Sequence, residues 1–94
     1  MERQAYVEKL RAQLEEWEGE IAKLEARARQ LSVDAKLELT RQIGSLRARR
    51  DALRAQIAQT QGSSADAWGE LRKGLERAGA ELRAALDNAR SKFR

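Results

Sequence analysis

The chain has 94 residues, a net charge of +4 and no cysteine, histidine or proline. Disulfides, thiolate chemistry and the usual zinc ligands are thereby excluded, and nothing forbids long helices. Leu, Ile, Val and Phe occupy only 18 of the 94 positions, so any core is thin, but a small net charge and regular apolar spacing argue against disorder.

From the N-terminus, Val7, Leu10, Leu14, Trp17, Ile21, Leu24, Ala28, Leu31 and Ala35 follow one another in alternating steps of three and four. That is the a/d seam of a heptad coiled coil. So narrow an apolar stripe is not stable alone in water and has to lie against another helix. After Ala35 the phase changes, and the next seam positions are Leu39, Ile43, Leu46, Arg50, Leu53 and Ile57. The spacing from residue 28 to 43 acts as a fifteen-residue insert that locally unwinds a left-handed supercoil. Ser32-Val33-Asp34 offers an alternative, a break with Asp34 capping a new helix. The absence of Gly and Pro at 32–37 and the helical step from Ala35 to Leu39 favour continuity. The spacing therefore predicts one helix over about residues 2–61, roughly 90 Å long.

The predicted break is Gln61-Gly62-Ser63-Ser64-Ala65-Asp66. Gly62 suits the left-handed residue after a helix end, and Ser63 with Asp66 three residues on resembles a capping box. A turn at 62–64 and a second helix at about 65–92 complete a single domain over 1–94. In that helix an eleven-residue repeat matches Leu71 with Leu82, Leu75 with Leu86, and Arg72 with Arg83. Eleven residues make three turns, so the stripe runs nearly straight along the helix. Trp68, Leu71, Leu75, Leu82, Leu86 and Phe93 lie on one face, with Arg72, Arg83 and Arg90 on one edge and Glu70 and Glu81 on the other. A helix resting on lipid carries basic residues on both flanks, so opposed basic and acidic edges favour packing against another helix over a membrane. Gly74 and Gly79 border the stripe and permit close backbone approach.

The first helix is acidic around Glu18, Glu20 and Glu25 and basic around Arg47, Arg49 and Arg54. Residues 18 and 54, and likewise 25 and 47, are symmetric about residue 36. An antiparallel homodimer centred there sets acid against base, whereas a parallel one sets like against like. The second helix folds back at Gly62 as an antiparallel hairpin, with Leu46, Leu53 and Ile57 facing Leu82, Leu75 and Leu71, and Phe93 near Ala35. The uncovered seam at Val7, Leu10, Leu14, Trp17, Ile21, Leu24 and Leu31 is then the dimer interface, with Trp17 entering near Leu53, Leu71 and Trp68. The expected fold is an all-α, long-helix-plus-short-helix hairpin in a coiled-coil dimer.

No catalytic, cofactor-binding or metal-ligating set is visible, and a non-enzymatic protein is expected. Glu15, Glu16, Glu18 and Glu20 spread over outward and flanking faces and read as a solvated acidic surface. Arg47, Arg49, Arg50 and Arg54 form the strongest charge run, a candidate anion or partner surface with Arg50 as a register-setting polar core position. No aromatic interleaves these arginines, which disfavours nucleic acid. The two tryptophans fill core positions, and Tyr6 lies beside the seam without carrying a signal of its own. The polar N-terminus and the lack of a membrane-length apolar stretch suggest a cytoplasmic protein.

The run EKLRAQLEEWEGEIAKLEARA, the mid-chain AKLE and the stretch SSADAWGELRKGLERAGAELRAAL resemble a family of small bacterial coiled-coil proteins. Members are about this long and carry one Trp in each helix, and some are labelled stress-response proteins. The eleven-residue repeat is similar to those of apolipoproteins. The family resemblance implies a non-enzymatic structural or protective role and no catalytic residue.

Overall fold

The computed structural model describes residues 2–93 and consists of α1 (Glu2–Ala28), α2 (Val33–Gln59) and α3 (Ala65–Lys92). The helix expected over 2–61 is therefore two helices. They are joined by a turn in which the Gln30 N–H donates to Arg27 O at 3.0 Å and the Leu31 N–H to Ala28 O at 3.3 Å. Ser32 is extended at φ −63°, ψ 165°, and α2 begins behind it. Ser32 is thus the N-cap, and Asp34 lies in the first turn, where its charge suits the helix dipole. The break escapes Gly and Pro signals because it needs neither, since no non-glycine residue described has a positive φ. The phase change after Ala35 falls just behind this connection. Within each helix the buried positions keep strict heptad steps, at 7, 10, 14, 21, 24 and 28 in α1 and at 39, 43, 46, 53 and 57 in α2.

The second connection follows glycine chemistry. Gly62 has φ +76°, the one positive φ among the described residues. Thr60, 4 % exposed, satisfies its hydroxyl on Ile57 O at 2.6 Å. The cap of α3 is Ser64, whose side chain accepts from the Ala67 N–H at 3.1 Å, in place of the expected Ser63. Ser63 instead donates its hydroxyl to Thr60 O at 2.8 Å and accepts from Arg3.

The three helices lie side by side, alternating in direction, within 50 × 18 × 17 Å. Their apolar stripes meet in one core, in which Leu39, Leu46, Leu53, Leu75, Leu82 and Leu86 are fully buried. A fully buried leucine contributes about 2 kcal/mol by transfer alone, so these six dominate the stability. Along α3 and its C-cap the buried positions are Leu75, Gly79, Leu82, Leu86, Ala89 and the capping Phe93, again heptad steps. Gly79 belongs to the core seam and not to its border; a Cβ there would lie 3.8 Å from Leu10 and from Trp17.

This arrangement revises the assignment of the N-terminal seam. Val7, Leu10, Leu14, Ile21 and Leu24 are buried by α2 and α3 of their own chain, with Trp17 and Leu31 half-buried beside them. The turn after Ala28 lets α1 fold back, so the same chain supplies the third helix that a second copy was expected to bring. Leu46, Leu53, Ile57, Leu75, Leu82, Leu86 and Phe93 lie in the core, while Trp68 and Leu71 are half-buried at its end.

Candidate functional surface

Two ion pairs span α1 and α2. Arg54 pairs with Glu18 and Arg47 with Glu25. These are the acid–base partners that the symmetry about residue 36 selects, formed within one chain. Of the remaining basic run, Arg50 is half-buried and pairs with Asp51 at 3.0 Å, and Arg49 is exposed. The run is therefore divided: two arginines are neutralised by α1, one turns along its own helix, and one faces solvent. Its phosphate-binding capacity is reduced accordingly, because each paired guanidinium would have to leave a carboxylate.

α1 and α3 meet through polar contacts as well. Arg90 reaches Glu20 at 3.5 Å. Arg3 donates to Ser63 O at 2.7 Å, and Arg27 donates to Phe93 O at 3.3 Å. Between these ends runs a shallow cleft of about 330 Å³, lined by Trp17, Glu16, Glu20, Arg83 and Arg90 among others. Trp17 is wedged against Gly79 at the edge of this cleft, away from the expected place beside Trp68. The acidic cluster of α1 is dispersed: Glu18 faces α2, Glu20 faces α3, and Glu15 and Glu16 are exposed.

The partner of Trp68 is Tyr6. Their rings meet edge to face with centroids 5.7 Å apart, and the Arg72 guanidinium lies 5.2 Å from the centre of the tyrosine ring. Burial, then the nearby Glu76 carboxylate, raises the Tyr6 phenol above its ordinary value of 10, with Arg72 opposing. The sequence holds no signal for this role beyond the place of Tyr6 beside the seam, next to Val7 and four residues before Leu10. At the opposite end, Glu38 accepts from Gln42 at 3.3 Å and from Lys92 at 3.4 Å. Those two hydrogen bonds, and the lysine charge, hold its carboxyl below the ordinary 4.5.

Val33 and Leu37 are the large exposed apolar residues, at 74 % and 62 %. No group of three or more His, Cys, Asp or Glu among the described residues could hold a metal ion, and no helix described is long and apolar enough to cross a membrane. Helices, heptad seams and interhelical ion pairs define an all-helical packing module. No protein-family model matches the chain, and no curated protein or solved structure matches it either.

Proposed function

We propose that the chain is a non-enzymatic helical interaction protein that self-associates through its heptad seams. The observation that carries this reading is the pair of contacts Glu18–Arg54 and Glu25–Arg47. Both are centred on residue 36, so two antiparallel copies that exchange α1 make the same two contacts that one folded chain makes. The clefts beside Trp17 are open and bordered by charged side chains, which suits a helix-packing surface. A cytoplasmic, stress-linked setting belongs to the same proposal, on the resemblance of its helical runs to small bacterial coiled-coil proteins.

The competing reading, binding to a lipid surface through α3, requires Leu75, Leu82 and Leu86 to leave the core, where each is at most 1 % exposed. Nucleic acid would have to compete with Glu18 and Glu25 for Arg54 and Arg47. Sedimentation equilibrium beside flotation with anionic and neutral vesicles tests the proposal. Concentration-dependent dimer without flotation is the expected result; flotation of the monomer with vesicles would overturn it.

A further inference from the structure

We infer that Ser32 is the hinge through which α1 is exchanged between two copies of this chain. The inference rests on the self-association proposed above and names its mechanism. Three observations carry it.

The first is local geometry. Ser32 already has the φ of an α-helix, −63°, and only its ψ of 165° departs from the helical value. The turns Arg27–Gln30 and Ala28–Leu31 each carry an i to i−3 hydrogen bond, one register from an α-helix. Bringing the Ser32 ψ to its helical value, with Leu31 following, merges α1 and α2 into a continuous helix. The second connection offers no such route, because Gly62 holds a left-handed φ of +76°.

The second is an unpaid cap. Ser64 caps α3 with its side chain, but Ser32 makes no side-chain cap hydrogen bond to the start of α2. In a continuous helix the N–H groups of Val33, Asp34 and Ala35 gain the carbonyls of Arg29, Gln30 and Leu31 as partners. Opening thus adds backbone hydrogen bonds at the hinge itself.

The third is that the contacts made by α1 transfer intact. A partner's α1 laid in the same place repeats Glu18–Arg54, Glu25–Arg47 and the Tyr6–Trp68 ring contact. Because the ion pairs are symmetric about residue 36, the hinge segments of the two copies meet at the two-fold axis. The closed chain is 50 Å long, whereas two antiparallel chains with continuous helices over residues 2–59, centred on residue 36, would extend to about 100 Å.

Val33→Pro is the decisive variant. Proline suits the first residue of α2 and holds the preceding Ser32 extended, while in a continuous helix it would collide with the turn before it. Val33 is exposed, so no packing is lost. The wild type, Val33→Pro and Ser32→Ala are each refolded at high concentration and followed by sedimentation equilibrium and small-angle scattering. Val33→Pro should keep its helicity and lower the dimer association constant by at least about a hundredfold. Ser32→Ala should raise it by about fivefold over the two hinges. As a readout independent of the proline, chains carrying Arg11→Cys are refolded with chains carrying Ala58→Cys; the native sequence has no cysteine. Exchange predicts a disulfide-linked heterodimer, because residues 11 and 58 line one cleft. If Val33→Pro dimerises as well as the wild type, or no heterodimer forms while the wild type dimerises, the hinge is refuted and self-association stands. If neither wild type nor Ser32→Ala dimerises at any concentration, both fall.

Discussion

Arg54 on α2 reaches across to Glu18 on α1, thirty-six residues away in sequence, and both side chains remain partly open to solvent. A pair so placed orients helices more than it stabilises them. A double-mutant cycle with Glu18→Gln and Arg54→Gln should give a coupling of about 0.5 kcal/mol that shrinks further in high salt. Chemical denaturation at two ionic strengths measures it.

Leucines of equal size should differ sharply in worth. Leu82 is completely buried and Leu37 is 62 % exposed. Leu82→Ala should cost about 3 kcal/mol and bring a chain this small close to unfolding, while Leu37→Ala should change stability by less than about 0.5 kcal/mol. Thermal unfolding followed by helical circular dichroism distinguishes the two.

The glycines should respond in opposite directions. At Gly79 an added Cβ meets Leu10 and Trp17 at ordinary contact distance, so Gly79→Ala should stabilise by about 1 kcal/mol through helix propensity. Gly62 has open space around it but a φ of +76°, so Gly62→Ala should destabilise by about 1 kcal/mol. Denaturant midpoints for both variants give the signs directly.

Gln56 has its Oε1 buried with no hydrogen-bond partner among the described residues, and a Cβ at Gly74 would lie 4.0 Å from it. Gly74→Ser places a hydroxyl donor beside that acceptor and removes a helix-interior glycine. It should stabilise by about 1 kcal/mol, and more than Gly74→Ala does if the hydroxyl finds Gln56.

Tyr6 and Glu38 each add a pH dependence to stability. The Tyr6 phenol is raised by burial and by Glu76, so the folded state holds that proton more tightly than the unfolded chain does. Its contribution is complete below pH 10 and is lost as pH rises past 10 through the folded value. Glu38 is lowered by Gln42 and Lys92, so its contribution is present above pH 4.5 and is lost as pH falls through the folded value. Tyrosinate absorbance against pH should show ionisation later than 10 in the folded protein, and earlier in Glu76→Gln than in the wild type.

Helical class, heptad seams and the turn at Gly62 are written plainly in the residues, because periodicity and a left-handed glycine leave strong local marks. The partners of Glu18 and Glu25 are also legible, since charge order along a helix survives folding. What the residues conceal is whether a partner is the same chain or another. That choice turns on the short connection ending at Ser32, and serine tolerates extended and helical ψ alike without any special neighbour. Leu31 and Ala35 keep the helical rhythm across the break, so apolar spacing alone predicts continuity there. Trp17 misled for a related reason: its seam position is clear, but its height along the bundle depends on the direction in which α1 returns. Once α1 turns back after Ala28, Trp17 meets Gly79, and Tyr6 takes the place beside Trp68.

Arg3 and Arg27 fasten the two ends of α1 to backbone carbonyls, one in the loop before α3 and one at the close of α3. The covalent link at Arg29 and Gln30 is exposed and makes little packing of its own. A protease specific for arginine that nicks the chain after Arg29 would therefore release nothing. The two fragments should travel together through gel filtration, and separated pieces should reassemble when mixed, because what holds α1 in place is distributed along its length and clasped at its tips.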